Sequence, residues 1–244
     1  MPMKIEMKRL LGRLHLDLAA KELIRLARQA RRKAGGADAN IIRAYFSQND
    51  IRKLHIGCGG HPLPGWLNSD YYPRSAEILH LDATQPFPFG EEEFDFIFSE
   101  HMIEHVPYGQ GLAMLAECFR VLKRNGVIRI STPNLPFLIN LYNGQNSEAE
   151  RRYIDWATKA IVKDAPYSDP IFVINNFFRD WGHQFIYDEK ALTAALRRSG
   201  FADIEKCELN ESTHEELRQL ENEKRLPSGF LRLETLTLEA AKLV

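Results

Sequence analysis

Leu54-His55-Ile56-Gly57-Cys58-Gly59-Gly60 is the stretch that decides the fold. The run from Ile51 to Ile56 reads as a strand and passes straight into glycines. Glycine accepts the positive φ of a sharp turn and lets a backbone approach a ligand closely. In open α/β sheets, ligands sit outside the carboxyl ends of the strands, so this loop is a binding-loop candidate. A dinucleotide fingerprint needs glycines at relative positions one, three and six. Here those positions are Gly57, Gly59 and Pro62, and a proline has no N–H to offer where a helix must open under a pyrophosphate. No P-loop lysine followed by serine or threonine is present either. The pattern therefore argues against nicotinamide binding and nucleotide hydrolysis.

Outward from the loop, strands and helices alternate. Short strands over Trp66–Ser69 and Ile78–Leu81 end at Asp70 and Asp82. Phe94–Ser99, with its Phe-Asp-Phe-Ile-Phe run, is a fourth strand. A helix over Gly109–Lys123 carries Leu112, Leu115, Ala116, Phe119 and Leu122 on one face. Asn125-Gly126 turns the chain into a fifth strand, Val127–Ser131. Asp188–Ser199 is a helix capped by Asp188 and closed by Gly200. Phe201–Cys207 and Leu233–Ala240 are the closing strands. The pattern predicts a doubly wound, Rossmann-like α/β sheet with a mainly parallel core. Residues 134–176 interrupt the alternation and read as a cap insertion with a helix around Ser147–Val162. Three successive strand ends thus carry a glycine loop and two acids. A carboxylate at Asp70 can accept two ribose hydroxyls, and one at Asp82, beside Ala83, can read an adenine amino group. Each can equally cap a turn.

Composition sets the outer limits. The 244 residues are 44% hydrophobic and 27% charged, with a formal net charge of -1, which fits a globular chain rather than a disordered one. No apolar run is long enough for a membrane span, no secretory signal pattern opens the sequence, and Cys58, Cys118 and Cys207 form neither a zinc pattern nor a disulfide framework. A reduced, cytoplasmic protein is expected. Residues 1–33 hold ten Lys or Arg against three acids, net +7, which leaves the remainder at -8. Leu16, Ala19, Leu23, Leu26 and Ala30 form a helical stripe there. The organisation predicted is a helical arm over 1–50 and a main domain over 51–244. The arm is open to three readings: a helix packed on the main domain, a homodimer contact, or an arm touching anionic membrane or nucleic acid. The near-neutral total argues against a whole-chain grip on nucleic acid but leaves a local patch open, and the sequence does not decide among the three.

These features together resemble the class I S-adenosylmethionine-dependent methyltransferases, and more narrowly the small type 11-like methyltransferase-domain proteins. Ile56-Gly57-Cys58-Gly59 resembles the cofactor glycine motif. Gly65-Trp66-Leu67-Asn68-Ser69-Asp70 resembles the segment that closely follows it, with Asp70 in the place of the ribose acid. Leu81-Asp82-Ala83 resembles the adenine-contacting segment. Pro86-Phe87-Pro88-Phe89 and Phe94-Asp95-Phe96-Ile97 resemble the approach to the fourth strand. Ser99-Glu100-His101-Met102-Ile103-Glu104-His105 resembles the motif after it, and Phe119–Gly126 the helix and turn before the fifth strand. His183–Tyr187 and the helix after it resemble a late family element. Three positions depart from the pattern: His55, where an acid or amide is common, His61 in place of a glycine, and Arg124-Asn125-Gly126 in place of Pro-Gly-Gly. The resemblance implies a seven-stranded sheet of order 3-2-1-4-5-7-6 with the seventh strand antiparallel. It implies S-adenosylmethionine as cofactor, held by Gly57, Cys58, Gly59, Asp70, Asp82, Ala83, Ser99 and Glu100.

Methyl transfer is an in-line displacement in which alignment does most of the work. A hydroxyl acceptor must also lose its proton. His105, His101, Glu104 and His183 are the candidates for that role, His105 first; each histidine can instead serve packing or local hydrogen bonding. His101 and His105, four apart, would share a face if helical. The letters His101-Met102-Ile103-Glu104-His105 miss the zinc-protease pattern, which needs glutamate after the first histidine, so no metal is expected. Cys58 reads as a small motif filler. Trp156, Tyr167, Phe172, Phe177, Phe178 and Trp181 either wall a substrate pocket or form the insertion's own core. The acceptor is unknown; a small hydroxylated or sugar-like molecule is the family-level expectation, and nucleic acid the alternative. A cofactor-binding sensor and a cofactor-free scaffold are the non-catalytic alternatives.

Overall fold

The computed structural model describes Arg32, residues 35–162 and residues 164–243. Contacts divide the chain into two units, 1–48 and 49–244. In the first, helix α1 (Ala37–Gln48) has no fully buried residue, and Arg32 Nη2 lies 2.5 Å from Asp38 Oδ1 in its first turn. The stripe expected over Leu16–Ala30 lies outside the described residues.

The second unit is built on seven strands: β1 (Lys53–Ile56), β2 (Leu67–Asp70), β3 (Leu79–His80), β4 (Phe94–Glu100), β5 (Leu122–Pro133), β6 (Ala202–Cys207) and β7 (Thr235–Ala241). Their order is β3-β2-β1-β4-β5-β7-β6. The first five pair in parallel, and β7 runs antiparallel to both its neighbours. This is the sheet the family resemblance implies, with the mainly parallel core expected from the sequence pattern. Leu54, Ile56, Phe94, Ile97, Phe98, Ile128 and Ile130 are buried along its centre, as expected for strands covered on both faces.

The covering differs from a regular doubly wound fold. Helix α2 (Tyr108–Val121) joins β4 to β5, but among the described residues the connections over 57–66, 71–78 and 81–93 contain no helix. Pro62, Pro64, Pro73, Pro86 and Pro88 lie in these loops, and each removes an N–H and disfavours helix at the residue before it. A segment that follows β6 supplies the missing layer. Its Leu217 and Leu220 pack with Leu63, Trp66, Phe98 and Val127 into one buried cluster.

Between β5 and helix α6 (Glu189–Arg198) lie three helices: α3 (Leu135–Tyr142), α4 (Glu148–Ala160) and α5 (Pro170–Arg179). Ser147 and Glu150 form a reciprocal capping box at the start of α4, and Asp169 caps α5 ahead of Pro170. Phe137, Leu141, Tyr153, Val173 and Phe177 form a core among these helices, and Phe230 of α7 (Phe230–Glu234) joins it. That packing explains why β7 starts at Thr235 rather than at Leu233. Strand β5 begins at Leu122, five residues before the predicted Val127, because Leu122 pairs with Phe94 across an irregularity in the β4 ladder.

One charged residue sits in the middle of the sheet. Arg129 of β5 is completely buried. Its Nε lies 2.6 Å from Glu221 Oε1, and its Nη1 lies 2.6 Å from Glu239 Oε1. Nη1 also donates to the Glu211 carbonyl at 2.8 Å, and Nη2 to the Glu208 carbonyl at 3.1 Å. Burial works against the guanidinium charge, but the two carboxylates outweigh it and raise the pKa above its usual value. Removing one member of such a group leaves uncompensated buried charge, which costs about 3–5 kcal/mol. Arg129→Met is therefore expected to lower the unfolding free energy measured by urea denaturation by an amount in that range at neutral pH. A loss below about 1 kcal/mol would show that the network does not hold the covering segment.

Candidate functional site

The glycine loop is fixed by its neighbour strand. The N–H groups of Gly57 and Cys58 both donate to the Ser69 carbonyl at 2.9 Å, and Gly59 N donates to Asp70 Oδ2 at 2.8 Å. Gly57 has φ +75, and a Cβ placed on it would lie 2.5 Å from Met102 Cγ. Only glycine fits there, by conformation and by space. Gly59 has φ +54, and nothing stands within 4 Å of where its Cβ would be. This loop therefore fronts open space, with the Asp70 carboxylate beside it, which suits a bound cofactor. Asp70 Oδ1 also accepts from Tyr72 N at 2.6 Å. Asp82 caps a turn, its Oδ1 accepting from Thr84 N at 3.0 Å and Thr84 Oγ1 at 2.7 Å, and it is half-buried together with Ala83. The Cys58 thiol is buried and its pKa is pushed up to about 11 by burial, with Asp70 adding to the shift, so it is no nucleophile.

His55 and Asn68 explain the segment before Asp70. Asn68 Oδ1 accepts from Leu63 N at 2.7 Å, and its Nδ2 donates to the carbonyls of Leu63 at 2.9 Å and Trp66 at 3.1 Å. One amide thus pins the loop between β1 and β2. His55 Nδ1 lies 3.1 Å from the same Oδ1. An amide oxygen only accepts, so Nδ1 carries the hydrogen. The ring is 1% exposed and lies 5.1 Å from Phe98 and 6.5 Å from Trp66, centroid to centroid. Burial lowers its pKa to about 4 against the pull of Asn68.

The end of β4 carries the polar cluster. Ser99 is fully buried, and its hydroxyl makes no hydrogen bond in the protein. Glu100, expected to hold the cofactor, has protein partners for its carboxylate: it accepts from Asn222 N at 3.2 and 3.3 Å and lies 4.0 Å from Arg225 Nε. Burial raises its pKa although Arg225 opposes the shift. His101 has φ +46 and stands outside the 3-10 turn Ile103–His105, so it does not share a helical face with His105. Its Nε2 lies 3.0 Å from Thr235 Oγ1 and its Nδ1 3.3 Å from Glu104 Oε1. Both ring nitrogens face protein partners.

His105 is exposed, and its ring lies 4.9 Å from that of His183. Glu104 between them in sequence is fully buried. Burial alone would raise its pKa, but His101 and His105 outweigh it and lower the value. The His183 pKa is lowered by burial, against the opposing effect of Glu104. One ligand-type atom from each of Glu104, His105 and His183 lies within 4.8 Å of the others. Of the aromatic residues in or after the insertion, Phe177 is core and Trp156 packs against that core. Tyr167, Phe178 and Trp181 are exposed, and Phe172 pairs with Tyr167 at 5.5 Å.

Residues 66–130, from just before β2 into β5, match the family model described as a methyltransferase domain. The sheet order is that of the class I S-adenosylmethionine-dependent methyltransferase fold, and the matched segment is similar to the type 11-like methyltransferase domain, which supports S-adenosylmethionine as cofactor. No curated protein matches the chain. Among solved structures, a possible exported protein from Bordetella parapertussis is 14% identical, with 85% of this chain and 67% of that chain covered and a TM-score of 0.44. A possible histamine N-methyltransferase from Thermotoga maritima is 16% identical, with 80% and 83% covered and a TM-score of 0.43. A SAM-dependent methyltransferase from Archaeoglobus fulgidus is 18% identical, with 84% and 92% covered and a TM-score of 0.46. No helix among the described residues is long and apolar enough to cross a membrane.

His55 gives a pH signature that belongs to this loop. Its folded pKa of about 4 lies below the ordinary 6.5, so between these values the unfolded chain binds the extra proton. Its contribution is complete above pH 6.5 and is lost as pH falls toward 4, by about 3 kcal/mol in all. Chemical denaturation at pH 7 and pH 5 should show that His55→Gln loses less stability over this interval than the parent. Equal losses in both proteins would mean that His55 is not the titrating group.

Proposed function

We propose that this chain is an active methyltransferase that moves a methyl group from S-adenosylmethionine to a small hydroxylated, sugar-like acceptor. One observation carries the reading. Met102, packed against Gly57 of the glycine loop, lies three residues before His105, so the cofactor loop and the polar cluster meet at adjoining strand ends. The cofactor supplies a methyl group on a sulfonium centre, an electrophile that needs no covalent protein residue. In this proposal Asp70 holds the ribose, the Gly57–Gly59 backbone accommodates the chain beside it, and Asp82 with Ala83 meets the adenine. The acceptor is aligned and relieved of its proton at Glu104, His105 and His183, where His105 is the most exposed member. His101, with both nitrogens facing Thr235 and Glu104, is engaged within the protein rather than by the acceptor.

Calorimetry with S-adenosylmethionine and its demethylated product tests the cofactor site. Asp70→Ala should weaken binding by about 1–3 kcal/mol, the scale of a lost charge-assisted hydrogen bond. Affinity unchanged in this variant would remove Asp70 from the ribose, and no binding to the parent would leave a scaffold with this fold.

For the acceptor side, single-turnover rates with a panel of hydroxylated acceptors are the measurement. His105→Gln should slow transfer by about 10²- to 10⁴-fold with S-adenosylmethionine affinity preserved. Rates within about threefold of the parent would exclude His105 from the reaction, on the same scale of general-base effects.

A further inference from the structure

We propose that Glu104, His105 and His183 form a binding site for a divalent transition-metal ion of the zinc type. The donor set is one carboxylate and two imidazoles, with one atom of each inside a 4.8 Å circle. It is the set of zinc centres that keep a coordination position open for water or substrate. Three independent features point the same way.

The first is a buried carboxylate oxygen without a donor. Glu104 is fully buried, and its Oε2 accepts from Thr132 Oγ1 at 3.1 Å. Its Oε1 makes no hydrogen bond in the protein, because His101 Nδ1, 3.3 Å away, is not aligned for one. An orphaned buried carboxylate oxygen is costly, and a cation offsets that cost. The second is the tautomer of His183. Its Nδ1 lies 2.7 Å from the Phe177 carbonyl, which can only accept, so Nδ1 bears the hydrogen and Nε2 presents a lone pair. Metal-binding histidines are commonly fixed in this way by a carbonyl or carboxylate behind the ring. The third is the rigidity of the spacing. Gln184 N and Phe185 N both donate to the Glu104 carbonyl, at 2.7 and 3.2 Å, so the backbone of the late loop is tied to the segment that carries the other two donors. Zinc bonds of about 2.0–2.2 Å bring ligand atoms to about 3–3.5 Å from one another. The three donor atoms, within 4.8 Å of one another, therefore have at most roughly 1–2 Å to close, within the reach of a side-chain rotation of the exposed His105.

The role of the ion rests on the methyltransferase reading, although its binding does not. An acceptor hydroxyl placed on the open position would have its pKa lowered by the metal. Its proton would leave to water, and with the ion bound His105 and His183 would act as ligands in place of the base role given them in the metal-free reading.

The test uses the full chain, stripped of metal and titrated with zinc chloride by calorimetry and with cobalt(II) chloride by absorption. One ion per chain is expected, with visible cobalt bands of nitrogen and oxygen ligation and no thiolate charge-transfer band. His105→Ala, an exposed position that leaves the core intact, and His183→Ala should each weaken binding by roughly 100-fold or more. His61→Ala and His214→Ala should bind as the parent does. No binding by the parent, parent-like binding by the His105→Ala/His183→Ala double variant, or a thiolate band would each overturn the site. S-adenosylmethionine titration of the same metal-free protein keeps the two ideas apart. Cofactor binding without zinc binding sinks only the metal site, and zinc binding without cofactor binding sinks only the methyltransferase.

Discussion

The guanidinium of Arg129 is the constraint on which the covered face of the sheet depends. The β1–β4 side lacks helical crossovers, so Trp66 and Phe98 need another layer over them. That layer is irregular chain, which buries apolar side chains only if its own carbonyls find donors. Arg129 supplies donors to the Glu208 and Glu211 carbonyls and binds Glu221 and Glu239 at the same time. One side chain thus satisfies the backbone of the covering segment and pins its far end. Ser131, one turn of the pleat further along β5, donates to the same Glu221 carboxylate at 2.8 Å. The ion group is a substitute for the hydrogen-bonded ladder that a covering helix would have carried within itself.

The same anchor reaches the candidate site. Glu221 is followed by Asn222, whose N–H meets Glu100 at the end of β4, and Arg225 stands 4.0 Å from both Glu100 and Glu234. Glu234 in turn accepts a hydrogen bond from Tyr153 of α4. A chain of polar contacts therefore runs from the middle of the sheet, through the covering segment and past the strand ends, to the helices after β5. Burial raises the pKa of both Glu100 and Glu234, the direction expected where a carboxylate loses water, and Arg225 opposes the shift at each.

Much of this was legible in the sequence, and what was not has a common physical cause. The strand–glycine–acid pattern, the helix over Gly109–Lys123 and the order of the elements along the chain are encoded in local periodicity and turn residues; the strand order of the sheet and its antiparallel last strand came only with the family resemblance. The helix-free crossovers were marked by Pro62, Pro64, Pro73, Pro86 and Pro88, a signal that the alternation of strands and helices overshadowed. Arg129 carries no such mark, because its partners at 221 and 239 lie about a hundred residues away and no local pattern announces a buried charge. His101 misled for a related reason. A spacing of four implies a shared face only in a helix, and its positive φ takes it out of the turn that follows. The approach of His183 to His105 is set by two backbone bonds to the Glu104 carbonyl, which composition cannot show.

The glycine loop and the polar cluster cannot be positioned separately. Met102 occupies the space where a side chain at 57 would begin, so any shift of the 101–105 segment toward β1 is stopped by the glycine loop. On its other side the segment is held by His101 N to the Ser131 carbonyl at 2.7 Å, and by the Glu104 carbonyl to the late loop. The three residues that follow Met102, Ile103–His105, form a single 3-10 turn, too short to flex without breaking those bonds. The distance from Gly57 to the imidazole pair is consequently a property of packing and backbone hydrogen bonds. In a reaction governed by alignment, that rigidity is the contribution a fold can make before any side chain acts as acid, base or ligand.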